Sequence, residues 1–372
     1  MPSGKNAEKK PAIYFLAPSA PGISPGQRFR FEHYLGLLRE KGYKIRISSF
    51  YSLNGWKSLY KSGNKFRKVR AVLAGQFRRL IDLFRIPFYD YVYLYREAAP
   101  IGPPFFEWVI CKLLRKKVIY DFDDAIWIPV SSEYNKAASG LRNFGKVEKI
   151  CSWSYKVSVG NEFLASFASK HNARVELIPT VVDTENGHNR MQDQETASPS
   201  IGWTGTFSTL PYLNLVLPVL QRLQEKIPFT FYVIADKDPE LPLKHYRFIK
   251  WSRENETADL LHFHIGLMPL HDDEISRGKC GFKAIQYMAL GIPAVVSPVG
   301  VNSIIVNHAV NGFVCDQEPE WEQALTTLLT DASLRDKMGA AARQQIEDHY
   351  SVKATNQTFL VVFSEIKEPS PG

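Results

Sequence analysis

The sequence predicts an α/β protein built from two Rossmann-like, doubly wound parallel-sheet domains that face a central cleft. Three observations carry this expectation. The chain has 372 residues, which is long for one domain and natural for two. Short β-branched and aromatic runs alternate with amphipathic helical segments, the pattern of a parallel sheet with right-handed crossovers. That alternation stops at TENGHNRMQDQETASPS (184–200), which offers almost nothing to bury, and then begins afresh.

In the first half, PAIYFLAP (11–18) is an apolar strand that runs into a Pro/Gly/Ser loop. RFRFEHYLGLLREKG (28–42) has helical spacing and stops at Gly42, after which YKIRISSF (43–50) returns as a strand. YDYVYLYR (89–96), KKVIYDF (116–122) and YKVSVGN (155–161) are the next strands. In the second half the strands are SIGWTG (200–205), FTFYVIA (229–235), FHIGLMPL (263–270), IPAVVSP (292–298) and GFVCD (312–316). The last helix, VKATNQTFLVVFSEIK (352–367), follows a break and is free to pack back on the first half. The expected domains are 1–185 together with the returning segment 352–372, a linker at 186–200, and 201–351.

Composition is that of an ordinary globular protein, with 45% hydrophobic and 23% charged residues. The start, MPSGKNAEKK, lacks the apolar core of a signal peptide, and no apolar run approaches the ~20 residues that span a bilayer. Four widely spaced cysteines (Cys111, Cys151, Cys280, Cys315) match neither a zinc site nor a disulfide framework. A cytoplasmic protein with reduced thiols is the expectation. Residues 1–200 hold 31 Lys/Arg against 18 Asp/Glu, a net +13, whereas residues 201–372 hold 15 against 20, a net −5. The first half is therefore expected to face something anionic.

Ligands of open parallel sheets bind beyond the carboxyl ends of the strands. Several chemistry-bearing loops fall there. RGKCGFKAIQYMALGIPAVVSPVGVN (277–302) leads cations into a helix start, where free N–H groups and the helix dipole suit a diphosphate. Lys279 and Lys283 are four apart, Arg277 precedes them, and Gly281 permits close backbone approach. A solvated helix start is the competing reading. KVIYDFDDAIW (117–127) crowds Asp121, Asp123 and Asp124 at another strand end. Such carboxylates need a metal, a substrate or positive partners among them.

These segments resemble the large retaining glycosyltransferase family four, of the group 1 glycosyl transferases. The likeness lies in 277–302, in GLMPL before it and in 311–351 after it. In the first half it lies in SPGQRFRFEHYL (24–35), YREAAPIGPPFFEW (95–108), YDFDDAIW (120–127) and VGNEFLASFASKHNARVELIPTVVD (159–183). IGWTGTFSTLPYL (201–213) completes it. The resemblance implies a GT-B fold, a nucleotide-diphosphate sugar as donor and transfer with retention of anomeric configuration. It makes the second domain the donor side and the first the acceptor side, for a glycan or lipid-linked saccharide.

On that basis Arg277, Lys279 and Lys283 are expected to neutralise the departing diphosphate. Gly205, Thr206, Gly281, Phe282, Gln286, Gly300 and Glu274 are expected around the donor, and Arg30, Asp121, Asp123 and Asp124 around the acceptor. Family members carry two glutamates eight positions apart on this helix; here those positions are Gly278 and Gln286. Gln286 is expected to bind a ribose hydroxyl. The loss of both carboxylates leaves open a non-catalytic nucleotide-sugar or glycan-binding subunit. No metal or other cofactor is expected, because cations and a helix dipole offer the charge that Mn²⁺ supplies in the other large glycosyltransferase fold. His262, His264 and His271 match no common metal spacing.

Two further readings concern the first domain. Arg30 is expected to point into the cleft with Arg28 partly solvated, Arg96-Glu97 is either a cleft pair or a structural ion pair, and Asn161 caps a helix. Residues 56–88 combine nine cations with one acid, Asp82, and an apolar series at helical spacing from Phe66 to Phe84. That series either packs on the sheet, leaving a wet basic back, or lies on an anionic membrane. No recognition motif for nucleic acid accompanies the charge.

Overall fold

The structure is a computed structural model, described for residues 10–59, 63, 65–129 and 143–364. Two six-stranded parallel sheets form its frame. The first comprises β1 (Ala12–Ala17), β2 (Lys44–Ser49), β3 (Tyr91–Tyr95), β4 (Lys117–Phe122), β5 (Lys156–Val159) and β6 (Val175–Leu177), in the order β2-β1-β3-β4-β5-β6. The second comprises β7 (Ser200–Thr204), β8 (Thr230–Ala235), β9 (Tyr246–Lys250), β10 (Ile265–Met268), β11 (Ala294–Val296) and β12 (Gly312–Val314), in the order β12-β11-β10-β7-β8-β9. Both orders reverse direction once, and each reversal leaves a crevice at the carboxyl ends of the strands.

The central strands are buried on both faces, which explains their continuous apolar runs. β6 and β9 are edge strands with half-exposed or exposed residues, and the sequence reading passed over both. Two segments differ locally from expectation. Residues 28–42 do not form one helix: a turn of helix at Pro25–Arg30 gives way to a 3-10 turn at Glu32–Tyr34 and a second helix at Leu35–Glu40. The polar stretch 184–200 is tied to the second domain, where the Gln194 side chain donates to the Gly291 carbonyl at 3.0 Å.

The helix Val352–Val361 crosses back to the first sheet. Phe359 stacks on Tyr34 with ring centroids 4.0 Å apart, and Phe359, Val362 and Phe363 join the core made by Phe15, Tyr93 and Ile178. The domains are thus closed over one another from below by this helix and linked above by contacts at the strand ends.

Candidate active site between the two domains

The first-domain cluster begins where β3 and β4 end side by side, with Tyr95 in register with Asp121. The next residue, Arg96, has φ +61, a left-handed conformation that costs a non-glycine residue on the order of 1 kcal/mol or more. The strain turns its guanidinium back over the end of β4. There Nε and Nη2 donate to Asp123 Oδ1 at 3.0 and 2.7 Å, and Nη2 also donates to Asp124. Tyr95 Oη donates to the same Asp123 oxygen at 2.9 Å. Burial alone would raise the Asp123 carboxyl, yet Arg96 and Arg30 outweigh it and hold the group below its ordinary range. Asp124 is instead pushed up, by burial and by its neighbour Asp123.

The second-domain cluster is built on the loop after β10 and on the helix Phe282–Ala289. Gly281 stands at the helix start with φ +67, and a Cβ there would lie 2.1 Å from Ile305 Cδ1, so only glycine fits. Lys279 Nζ lies 5.6 Å from the Tyr212 ring centre and Lys283 Nζ lies 5.8 Å from that of Trp203. Neither ammonium has a carboxylate within salt-bridge distance among the described residues. Burial and then the adjacent Lys279 push Lys283 down to about 7, against a smaller opposing pull from Asp124. One turn further along, Gln286 is buried, and its amide Nε2 finds no acceptor among the described residues. An orphaned buried donor invites a ligand or a water.

The two clusters meet. Asn161 caps the helix Glu162–Ser169 through Leu164 N, and its amide donates to the carbonyls of Arg277 (3.2 Å) and Lys279 (3.0 Å). Cys280 Sγ donates to the Asp123 carbonyl at 3.1 Å. A Cβ on Gly278 would lie 2.7 Å from Ala125 Cβ and 2.9 Å from its backbone nitrogen. The lysine-bearing loop is therefore docked against the aspartate-bearing one.

Comparison with known proteins bears on this arrangement. Residues 201–345 match the family Glycosyl transferases group 1. The match covers most of the second domain. No curated protein sequence matches the chain. Solved structures match along nearly its whole length. The sucrose-phosphate synthase of Thermosynechococcus elongatus aligns with 95% of this chain and 99% of its own, at 12% identity and a TM-score of 0.68. WaaG, a glycosyltransferase involved in lipopolysaccharide biosynthesis, aligns with 95% and 100% at 12% identity and 0.65. Anabaena HepE in complex with UDP and glucose aligns with 96% and 100% at 14% identity and 0.62. The chain has the GT-B fold across both domains.

Within the second domain the other sequence-predicted donor residues divide. Phe282 packs on Phe29 of the first domain with ring centroids 4.3 Å apart, which makes it a cross-domain contact. Gly300, at φ +59, rests against the backbone of Arg277, where a Cβ would sit 3.0 Å from the carbonyl oxygen. Gly205 lies against Trp203, and Thr206 spends its hydroxyl in a capping box with Thr209 and on Ser208. Arg277 is turned outward and paired with Asp272 at 2.6 and 2.9 Å, and Glu274 is exposed. Both side chains are exposed, whereas Lys279 and Lys283 are half-buried.

On the first-domain side the expectation for Arg30 and Asp121 needs correcting. They form an ion pair with both side chains wholly buried, Arg30 also donating to Ser158 Oγ and to the Ile178 carbonyl. Their mutual neutralisation removes them from the cleft surface, so neither is placed to touch an acceptor. Arg28 is not merely solvated: it reaches Glu256 of the second domain at 2.8 Å. Arg96 pairs with the cleft carboxylates, while Glu97 takes Lys146 at 2.6 Å. The three histidines are dispersed, with His264 bound to Ser200, His262 beside Tyr232 and His271 beside Tyr212.

Proposed function

We propose that this protein transfers a sugar from a nucleotide-diphosphate sugar to a hydroxyl of a glycan or lipid-linked acceptor, with retention at the anomeric carbon, in the synthesis of a cell-surface polysaccharide or glycolipid. The observation that carries this reading is the pair Lys279 and Lys283, two cations at a helix start with no carboxylate at salt-bridge distance among the described residues, Lys283 being held down by burial. A diphosphate is the anion that such a pair lacks. Gln286 Nε2 then donates to a ribose hydroxyl. HepE, solved with UDP and glucose, supports the choice of a nucleotide sugar.

In the reaction the bond from the anomeric carbon to the diphosphate oxygen breaks, and the acceptor oxygen bonds to the same face. The acceptor proton passes to the departing phosphate. Lys279 and Lys283 stabilise the charge growing on that diphosphate, so no metal is needed. Asp123, ionised and fixed by Arg96 and Tyr95, orients the acceptor hydroxyl, with Asp124 beside it.

A non-catalytic nucleotide-sugar-binding subunit is the second reading, and Gly278 in place of a family glutamate favours it. Thermal shift against UDP, GDP, dTDP and ADP identifies the nucleotide. Slow hydrolysis of the matching nucleotide sugar, lost in Lys283→Ala, supports transfer; binding without any hydrolysis supports the second reading, and no binding at all removes both.

A further inference from the structure

The helix Lys65–Arg85 leaves its main apolar stripe uncovered. Its 21 residues, about 30 Å long, pack Ala71, Val72 and Leu83 on the core beside buried polar groups and leave the larger apolar series outward. Gly75, Arg79 and Asp82 are its buried residues. Arg79 pairs with Asp82 at 2.9 Å and donates to the carbonyls of Ala17 and Ala98, while Asp82 accepts from Tyr14 Oη and Ser48 Oγ, each at 2.6 Å. A Cβ on Gly75 would strike the Phe50 ring at 2.4 Å. This satisfied network fixes the helix's roll, because rotating it would strand a buried charge pair.

The opposite face carries Phe66, Val69, Leu73, Phe77, Leu80 and Phe84, between 46% and 80% exposed, and Phe88 just beyond at 83%. Of the two readings the sequence allowed, packing on the sheet is the one that fails. Six large apolar side chains in one stripe do not stay in water without an occupant. Exposed cations border the stripe on the same helix: Lys65, Arg67, Arg70 and Arg85. The sole acid between residues 56 and 88 is the buried Asp82, and Lys61 lies outside the described residues.

We propose that this face docks on an anionic lipid bilayer, with the stripe entering the interface and the bordering cations meeting lipid phosphates. Charge selects this occupant over a second copy of the chain, since two such faces would bring like-charged borders together. Arg78 and Arg79 tie the helix to the carboxyl ends of β2 and β1 through the carbonyls of Ser49 and Ala17 (2.7 and 2.9 Å), which is the edge where the cleft opens. Docking therefore holds the cleft beside the bilayer. That last step, presentation of a lipid-linked acceptor, rests on the proposed function; the docking itself does not.

The test is sedimentation of the full-length protein with vesicles of phosphatidylglycerol and phosphatidylcholine, compared with phosphatidylcholine alone. Binding to the anionic vesicles at low salt, weakened by added salt, is expected. The variant Leu73→Ser/Phe77→Ser/Phe84→Ser changes only exposed positions, and circular dichroism verifies its fold. It should bind at least about tenfold more weakly, and each cation removed, as in Arg70→Gln, should cost about fivefold. Failure of the wild type to bind anionic vesicles overturns the proposal, as does undiminished binding by the folded triple variant. Self-association that needs the same three side chains, without vesicle binding, assigns the face to a second copy instead.

Discussion

The lowered proton affinity of Lys283 makes donor binding depend on pH in a way that can be worked out. In the free protein, burial and Lys279 bring this ammonium down to about 7. A bound diphosphate supplies the missing negative charge and returns the group toward its ordinary range, so only the protonated form binds well. Below the free-state value the cation is already present and affinity is flat. Above it, binding must take up a proton, and affinity falls toward tenfold per pH unit. The donor's dissociation constant should therefore be about tenfold weaker at pH 8 than at pH 6. A nucleotide-diphosphate sugar is the right probe because its diester phosphates do not titrate in this window, unlike the terminal phosphate of a free diphosphate. Calorimetry in buffers of different ionisation enthalpy should show uptake of about one proton at pH 8. Lys283→Arg keeps the charge across the range and should bind with a flat profile. A wild-type constant unchanged from pH 6 to pH 8, or a slope that persists in Lys283→Arg, refutes the assignment of this lysine to the diphosphate.

Four other outcomes follow from the same geometry. Asp123→Asn should lower transfer on the order of a hundredfold while leaving the donor constant within about twofold, as read by steady-state kinetics and calorimetry. Arg30→Met should destabilise the fold by roughly 3–5 kcal/mol in urea titrations, with Arg30→Met/Asp121→Leu recovering most of it, because a lone buried charge costs more than an absent pair. EDTA should leave transfer intact, and strict dependence on Mn²⁺ would reverse the metal-free reading. Gly278→Glu should not raise activity: its Cβ meets the backbone of Ala125, so the domain contact must part, and small-angle scattering should report a larger radius of gyration. Higher activity at unchanged radius would show that the missing glutamate is a true loss.

Both sheets were legible because their central strands are buried on two faces and so write unbroken apolar runs, such as AIYFLA, YVYLY and TFYVIA. VEL and YRFIK were not, being short or charged and half-exposed, whereas the equally exposed edge β2 still showed itself by the alternation in KIRIS. The helix at 28–42 had the right spacing, yet it breaks at Phe31, whose backbone leaves helical geometry as its ring enters the core against Phe15 and Tyr93. Long-range packing, which spacing does not encode, decides that break.

The candidate site shows the same division. That Lys279, Gly281 and Lys283 lie at a helix start was legible, because a polar loop running into an apolar helical stretch is a local pattern. The three aspartates were legible as a cluster but not as individuals. Crowding at one strand end marks Asp121, Asp123 and Asp124 together, and all three were expected around the acceptor. Instead Asp121, inside β4, is claimed by Arg30 ninety-one residues away, whereas Asp123 and Asp124, past the strand's end, share Arg96. Which cation answers which carboxylate depends on where β4 ends relative to β3 and on the left-handed turn at Arg96. Neither is written in the motif itself. The repulsion among three crowded carboxylates is thus relieved twice over by protein cations, and the acceptor-side charge left to act in the cleft is that of Asp123 and Asp124.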